Sequence, residues 1–400
     1  MAKLKWRNPL IIFLTIIAAF LAYNYFAQPF VDYFPELETP VEVDQKSNQL
    51  EKASFENLTA RQKVAQLLMV PLLIDEAADD QATPSSQLTW IADNQPGGVI
   101  YFGEEISFAA AQGQSEDLEA VFSADQFQPL IAVDHEGGTV QRLAGDGFTV
   151  LPSMEQMVKN ADLITSEDED ALTVKNRARL LSASAAELSA VGINLILAPT
   201  VDYHPGVNPV LKTRIGHDPE AILTIAREYI LAFSNVHIMP VIKHFPGIGS
   251  VNQDLHFRAP MTELNEYDTL IFEKILDQYP NIGLMSTHLR LKDKLAGQAC
   301  SLSADCLTKV KEFYPNLLLI TDDLTMDSAR YLPNTSEEKS LDQVAIEAIE
   351  AGNHFLLFGS GVKPEELDQV LNTLEFKYLD SQSFRQDVDL AVQKILALKN

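Results

Sequence analysis

Short apolar runs alternate with longer amphipathic stretches along most of this chain. Each run is rich in Val, Ile and Leu, and a polar loop follows it. Such runs are typical of strands that are buried on both faces of a parallel sheet. The eight strands predicted in this way are Val64–Leu73, Gly98–Phe102, Leu130–Val133, Ile193–Ala198, Ile238–Ile242, Ile282–Met285, Leu317–Ile320 and Phe355–Phe358.

Helical periodicity fills most of the intervals between these strands, as in 174–191 and 219–235. Eight alternating strand and helix units favour an α/β fold of the (β/α)8, TIM-type barrel class over an open doubly wound sheet. The first predicted strand is not followed by a phosphate-cradling glycine fingerprint, which argues against a nucleotide-binding fold. In a barrel of this class, the chemistry lies on the loops that follow the carboxyl ends of the strands.

The N-terminal segment follows a different pattern. Lys3, Lys5 and Arg7 precede a largely apolar stretch over 10–27, which is long enough to cross a bilayer. The basic flank predicts that this end stays in the cytoplasm and that the rest of the chain is exported. We predict a membrane anchor or a signal segment over 1–27, a tether over 28–54 and the barrel over 55–400.

Charge and cysteine content narrow the possible partners. The net charge is −26, so a nucleic-acid partner is not expected, because binding to a phosphate backbone needs a basic face. No His-x-x-x-His pair occurs, and we predict no metal site. Cys300 and Cys306 could form a disulfide in an exported protein or remain two buried thiols, and their spacing does not decide between these alternatives.

Polar residues recur on the loops that follow the predicted strands. Because the carboxyl ends of all eight strands meet at one rim, we expect these side chains to surround a single site. The residues concerned are Asp134, Arg214, Lys243, His244, His288 and Asp322. Pro246, Gly247 and Gly249 then force a loop that ends in Asp254 and His256. A carboxylate beside an imidazole fixes its tautomer and raises its basicity, which suits proton transfer.

Several of these segments resemble a known family. The stretch Lys-His-Phe-Pro-Gly-Ile-Gly from Lys243, followed by Asp-Leu-His from Asp254, resembles the signature of bacterial β-N-acetylhexosaminidases in glycoside hydrolase family 3. Val-Asp-His-Glu-Gly-Gly from Val133 and Thr-Asp-Asp-Leu-Thr-Met from Thr321 resemble two further family motifs. The sequence departs from the signature at Ile248, where the family has His, and at Leu255, where it has Ser.

The resemblance implies roles for individual residues. Asp322 corresponds to the nucleophile of a retaining double displacement, and His256 suits the role of acid and base, with Asp254 orienting its ring. The sugar-binding positions of the family correspond to Asp134, Arg214, Lys243, His244 and His288. We also expect Glu136 to form an internal ion pair with Arg142. The segment around Arg214 is one residue shorter than the family pattern.

The resemblance predicts hydrolysis of terminal, non-reducing, β-linked N-acetylhexosamine from glycans such as peptidoglycan fragments, without a cofactor. The protein would be anchored to the bacterial cytoplasmic membrane with its barrel outside the cytoplasm. The alternatives are another family 3 glycosidase of the β-glucosidase kind, transfer of the sugar to phosphate, and a sugar-binding barrel that has lost turnover. The Asp254–His256 pair argues against a β-glucosidase, because those enzymes take their acid from another part of the chain.

Overall fold

A computed structural model describes residues 55–74, 86–122, 127–166, 168, 171–257, 261–292, 297–332 and 337–399. The predicted anchor over 1–27 and the predicted tether over 28–54 lie outside these residues. Among the residues described, no helix has the length and apolar character needed to cross a membrane.

Eight parallel strands form the centre of the fold, in the order β12-β1-β2-β3-β6-β7-β9-β11. A parallel bridge between Ile320 and Phe355 joins the two ends of this sheet and closes the barrel. The barrel strands are β1 (Leu68–Leu73), β2 (Gly98–Phe102), β3 (Leu130–Val133), β6 (Leu195–Ile196), β7 (Met239–Phe245), β9 (Gly283–Ser286), β11 (Leu318–Thr321) and β12 (Leu356–Leu357). The remaining short strands are β4 (His135–Gly137), β5 (Val140–Gln141), β8 (Met261–Thr262) and β10 (Arg290–Leu291).

The predicted barrel is confirmed, and each predicted strand overlaps an observed one. The first was predicted too long, because the chain over 60–65 is helical. Thr59 caps this helix by accepting a hydrogen bond from the backbone of Gln62, whose side chain accepts the backbone N–H of Thr59 in return. This reciprocal capping box satisfies backbone donors at the helix start, so the apolar residues at 64 and 65 continue a helix and not a strand.

Helices surround the barrel, and several begin where the sequence supplies capping groups. Thr173 caps the fifth helix, and Asp218 followed by Pro219 begins the sixth, so both start where the periodicity predicted. The helices are α1 (Ala60–Ala65), α2 (Ser86–Asn94), α3 (Phe108–Val121), α4 (Met154–Lys159), α5 (Val174–Ala190), α6 (Pro219–Ser234), α7 (Glu266–Gln278), α8 (Ala304–Phe313), α9 (Asp327–Arg330), α10 (Leu341–Ala351), α11 (Pro364–Asp380) and α12 (Gln382–Ala397).

A disulfide joins Cys300 to Cys306, whose Cα atoms lie 5.3 Å apart. It connects a single 3-10 turn over Cys300–Leu302 to the first turn of α8. The two cysteines are therefore paired, which was one of the two alternatives left open by their spacing.

Candidate active site

One cavity of about 230 Å³ lies at the carboxyl ends of the barrel strands. It is lined by seven of the eight residues that the sequence placed in the site. These are Asp134, Arg214, Lys243, His244, Asp254, His256 and Asp322. The eighth, His288, is not among the lining residues.

Four charged side chains in this cavity form one interlocked group, which we call the charge cluster: Asp134, Glu136, Arg214 and Lys243. The Lys243 Nζ atom lies 2.7 Å from a carboxylate oxygen of Asp134 and 2.7 Å from one of Glu136. Arg214 donates two hydrogen bonds to Glu136, at 2.8 Å from Nε and 2.7 Å from Nη2. Each cation therefore has a carboxylate partner, and Glu136 serves both.

Glu136 and Lys243 stay ionised at neutral pH. Burial opposes ionisation of Glu136, but the adjacent Arg214 and Lys243 outweigh it and hold the pKa of this carboxyl well below its usual range. Burial likewise opposes the charge on Lys243, yet Asp134 and Glu136 raise its pKa above the ordinary value. The cavity thus presents fixed, oriented charges that can bind the hydroxyl groups of a sugar.

His244, at the end of β7, is oriented by Asp202. Its Nδ1 atom lies 2.8 Å from one oxygen of the Asp202 carboxylate, and the other oxygen accepts the N–H of Ile248 at 2.8 Å. A carboxylate acceptor keeps a proton on Nδ1, so the neutral ring has an unprotonated Nε2. Asp202 lies four residues after the end of the predicted strand Ile193–Ala198, and no role was predicted for it. The structure makes it the residue that fixes the tautomer of His244.

Asp322 follows β11 and carries a half-buried carboxylate. The Thr287 hydroxyl donates to one of its oxygens at 2.8 Å, and the N–H of Asp323 donates to the other at 2.9 Å. Burial opposes ionisation, but the neighbouring His288 and His244 rings and these hydrogen bonds lower the pKa of Asp322 below its usual value. The result is an ionised, oriented carboxylate at a rigid strand end, as covalent catalysis by a carboxylate requires.

His288 corrects one expectation drawn from the sequence. It is fully buried, and both ring nitrogens already have partners: Nε2 donates to the carbonyl of Asp323 at 2.8 Å, and Nδ1 lies 2.6 Å from the hydroxyl of Ser301. Burial also lowers the pKa of His288 and favours its neutral form. The ring therefore supports the Asp322–Asp323 turn from behind the cavity wall and does not contact the cavity.

The same turn needs a glycine that the sequence did not single out. The Asp323 carboxylate accepts hydrogen bonds from the Thr325 N–H and hydroxyl and from the Gly359 N–H, at 2.8, 2.7 and 2.8 Å. A Cβ atom at position 359 would lie 2.0 Å from Asp323 Oδ2. Gly359 is thus required by a close approach, and Asp323 has a structural role beside Asp322.

The segment 247–257 brings Asp254 and His256 to the cavity. We call it the acid/base loop, after the role that the sequence predicts for His256. It begins at Gly247, whose φ of +117° favours glycine. His256 Nδ1 lies 2.7 Å from the Asp254 carboxylate, which also accepts the His256 backbone N–H at 2.9 Å. Partial burial of Asp254 opposes ionisation, but these bonds lower the pKa of its carboxyl. The His256 side chain remains 71% exposed, so its outer nitrogen can exchange protons with a ligand or with water.

Residues 59–398 match the glycosyl hydrolase family 3 N terminal domain. This chain belongs to glycosyl hydrolase family 3. A β-hexosaminidase of Nitrosospira multiformis is 32% identical over 289 residues, which cover 70% of this chain and 77% of the relative. A β-hexosaminidase of Idiomarina loihiensis is 28% identical over 296 residues, covering 72% and 83%. The crystal structure of a β-N-acetylhexosaminidase from Beutenbergia cavernae has the same fold: the TM-score is 0.72 at 24% identity, covering 86% of this chain and 99% of that one.

As a family 3 glycoside hydrolase, the protein needs a carboxylate and a proton donor at one cavity, and Asp322 and His256 both line it. Arg142 is a further cavity residue, for which the sequence suggested an ion pair with Glu136. That expectation was wrong, because Glu136 pairs with Arg214 and Lys243. The Arg142 guanidinium carbon lies 5.9 Å from the centre of the Phe102 ring, and its Nε atom is buried with no partner among the described residues. The only feature of the sequence that could have placed Arg142 in the cavity is its position eight residues after Asp134.

Proposed function

We propose that this glycoside hydrolase removes terminal, non-reducing, β-linked N-acetylhexosamine from glycans by a retaining double displacement. One observation carries the proposal: the Asp254–His256 pair and the Asp322 carboxylate line the same cavity. The choice of N-acetylhexosamine rests on the relatives named β-hexosaminidase. An ionised nucleophile and a separate proton carrier are the two groups that a retaining glycosidase needs.

In the first step, an Asp322 oxygen attacks the anomeric carbon while His256 gives its proton to the departing glycosidic oxygen. In the second step, His256 takes a proton from water, and the water oxygen displaces Asp322 from the sugar. Asp254 stabilises the positive ring that forms when His256 is protonated, because its carboxylate lies 2.7 Å from Nδ1. The lowered pKa of Asp322 keeps the attacking carboxylate charged at neutral pH.

The charge cluster would hold the sugar during both steps. Asp134 keeps part of its carboxylate exposed while Lys243 binds one oxygen, so it can accept a sugar hydroxyl. Arg214 and His244 complete this wall. Because these groups are already oriented in the free protein, binding should require little rearrangement of this wall.

We also infer that the protein is exported and held at the bacterial cytoplasmic membrane with its barrel outside, where it would meet peptidoglycan fragments. The basic and apolar N-terminal sequence supports this proposal. The Cys300–Cys306 disulfide also supports it, since such bonds persist mainly outside the cytoplasm. Fractionation of cells should place the full-length protein in the membrane, with the barrel open to externally added protease. Recovery of intact protein in the cytosol would contradict it.

The activity is tested with chromogenic aryl N-acetyl-β-glucosaminide and the matching β-glucoside, with Asp322→Ala as the inactive control. We expect the N-acetyl substrate to be preferred by about 100-fold or more. Proton NMR of the first product should show the β anomer. A preference for the glucoside would favour the β-glucosidase alternative. A sugar phosphate formed in phosphate buffer would indicate phosphorolysis, and sugar binding without turnover would indicate a silent barrel.

A further inference from the structure

The acid/base loop is fastened by a buried amide on a neighbouring segment. Asn208 lies in the segment after β6 that carries Arg214, and it is 1% exposed. Its oxygen accepts the N–H groups of Val210 and Leu211, both at 2.8 Å. Its nitrogen donates to the carbonyls of Gly249 and Val251 in the acid/base loop, at 2.8 and 2.9 Å. One side chain thus forms four hydrogen bonds, two to each segment.

Apolar contacts join the same two segments. Ile248, Val251 and Leu255 of the acid/base loop are 6%, 3% and 5% exposed, and they share one apolar cluster with Leu211 and Met326. Ile248 and Leu255 are the two positions at which the loop departs from the family signature, which has His and Ser there. The substitutions place apolar side chains where they are buried, so they add to the attachment of this loop.

The backbone of the loop also approaches the segment after β6 closely. A Cβ atom at Gly249 would lie 1.8 Å from the carbonyl oxygen of Tyr203, so only glycine allows this approach. One residue earlier, the N–H of Ile248 donates to Asp202 at 2.8 Å. The first half of the acid/base loop is therefore fixed by contacts at 248, 249 and 251.

The side chain of His256 has no comparable attachment among the residues described, and its backbone is held from outside the loop by a single hydrogen bond, from the N–H of Asp327 to the His256 carbonyl at 3.2 Å. Its ring is largely exposed and is bonded to Asp254, which belongs to the same loop. The position of the ring over the cavity therefore depends on how the loop backbone is held. We propose that Asn208 is a positioning residue for the Asp254–His256 pair, holding the acid/base loop against the segment that carries Arg214. This inference rests on the proposed role of His256 as acid and base.

The decisive variant is Asn208→Asp. The new carboxylate can still accept the N–H groups of Val210 and Leu211, but it cannot donate to the carbonyls of Gly249 and Val251. The variant therefore releases the acid/base loop while retaining the hydrogen bonds within the segment that carries Arg214. Asn372→Asp introduces the same change at an exposed position on α11 and serves as the matched control.

The measurement is kcat/KM on two substrates: a dinitrophenyl N-acetylglucosaminide, whose leaving group needs little protonation, and an N-acetylglucosamine disaccharide, whose leaving group needs a proton. We expect Asn208→Asp to lower the value about 10- to 100-fold on the disaccharide and less than about threefold on the dinitrophenyl substrate. Asn372→Asp should match the wild type on both. Leu255→Ser loosens the same loop from its apolar side and should give the same bias, which keeps the test valid if Asn208→Asp does not fold.

His256→Ala in the same assay separates the two proposals. If kcat/KM of His256→Ala falls equally on both substrates, the assignment of His256 as acid and base is wrong. Suppose instead that His256→Ala lowers kcat/KM more on the disaccharide than on the dinitrophenyl substrate. If Asn208→Asp and Leu255→Ser then lower kcat/KM equally on both substrates, or do not lower it, Asn208 does not position the pair. The inference is supported if Asn208→Asp, like His256→Ala, lowers kcat/KM more on the disaccharide than on the dinitrophenyl substrate, but by a smaller factor.

Discussion

The two sides of the cavity are built in opposite ways. In the charge cluster, the side chains of Glu136 and Lys243 are 2% and 3% exposed, and every charge is paired. In the acid/base loop, the side chains of Asp254 and His256 are 49% and 71% exposed and pair only with each other among the contacts described. The first side can hold a sugar without rearrangement, whereas the second can reach both a leaving group and water. In the proposed mechanism, the charge cluster would bind the sugar and the acid/base loop would transfer the proton.

The energetic consequences of this division differ as well. A buried charge that loses its partner is left in a medium of low dielectric constant, so disturbing the charge cluster should harm folding and binding together. An exposed pair is solvated whether or not it is intact, so changes in the acid/base loop should alter the reaction with little effect on stability. Variants on the two sides should therefore be distinguishable by stability and by leaving-group dependence.

The largest effect should come from Asp322→Ala, because neither side of the cavity can replace the nucleophile. We expect kcat to fall on the order of 10⁴-fold or more, for good and poor leaving groups alike. Steady-state rates on the dinitrophenyl and disaccharide substrates measure this. A loss confined to the disaccharide would mean that Asp322 acts in proton transfer and that the nucleophile lies elsewhere.

Glu136→Gln should show the cost of breaking the charge cluster. It leaves Lys243 and Arg214 with Asp134 as the remaining carboxylate in the cluster, so the free energy of unfolding should drop by about 3 kcal/mol. Urea denaturation measures the drop, and kcat/KM should fall by the same factor on both substrates. Glu263→Gln, which breaks an exposed pair with Lys292, should cost about 0.5 kcal/mol or less. If both variants lost the same free energy of unfolding, burial would not make the ion pairs of the charge cluster more important for stability than an exposed pair.

A pH-dependent effect is expected at His135, the buried neighbour of Glu136. Burial lowers the pKa of His135 to about 3, against about 6.5 in an unfolded chain. Between these two pH values, His135 is protonated in the unfolded chain and neutral in the folded protein. The contribution of neutral His135 to the free energy of unfolding is therefore complete above pH 6.5 and declines as the pH falls towards 3. His135→Gln should therefore reduce the slope of unfolding free energy between pH 6 and pH 4 by about 1.4 kcal/mol per pH unit. An unchanged slope in urea titrations would contradict this.

The barrel and most of the site could be predicted from the sequence, because strand periodicity and strand-end position are local properties. Asp134 and Asp322 follow their strands directly, Lys243 and His244 lie in the last residues of β7, and all four line the cavity. The start of β1 could not be predicted from apolar character alone, since the capping box at Thr59 extends a helix into the apolar run.

The partners of the charged residues could not be predicted, because pairing depends on which loops meet in space. Glu136 was assigned to Arg142, six positions away, but it pairs with Arg214 from another loop. His288 also follows a strand, yet its ring points to Ser301 behind the cavity wall. The four bonds of Asn208 join two loops, and no periodic pattern in the sequence indicates such a contact.

The proposed roles of Asp322 as nucleophile and His256 as acid and base are tested most directly by pre-steady-state kinetics of His256→Ala with the dinitrophenyl N-acetylglucosaminide. If Asp322 forms a covalent intermediate and His256 activates the water that releases it, dinitrophenol should appear in a burst of about one equivalent per active site. Slow turnover should follow, and added azide should accelerate it. Absence of a burst, with an equal loss of rate on good and poor leaving groups and no effect of azide, would contradict the assignment of proton transfer to the acid/base loop.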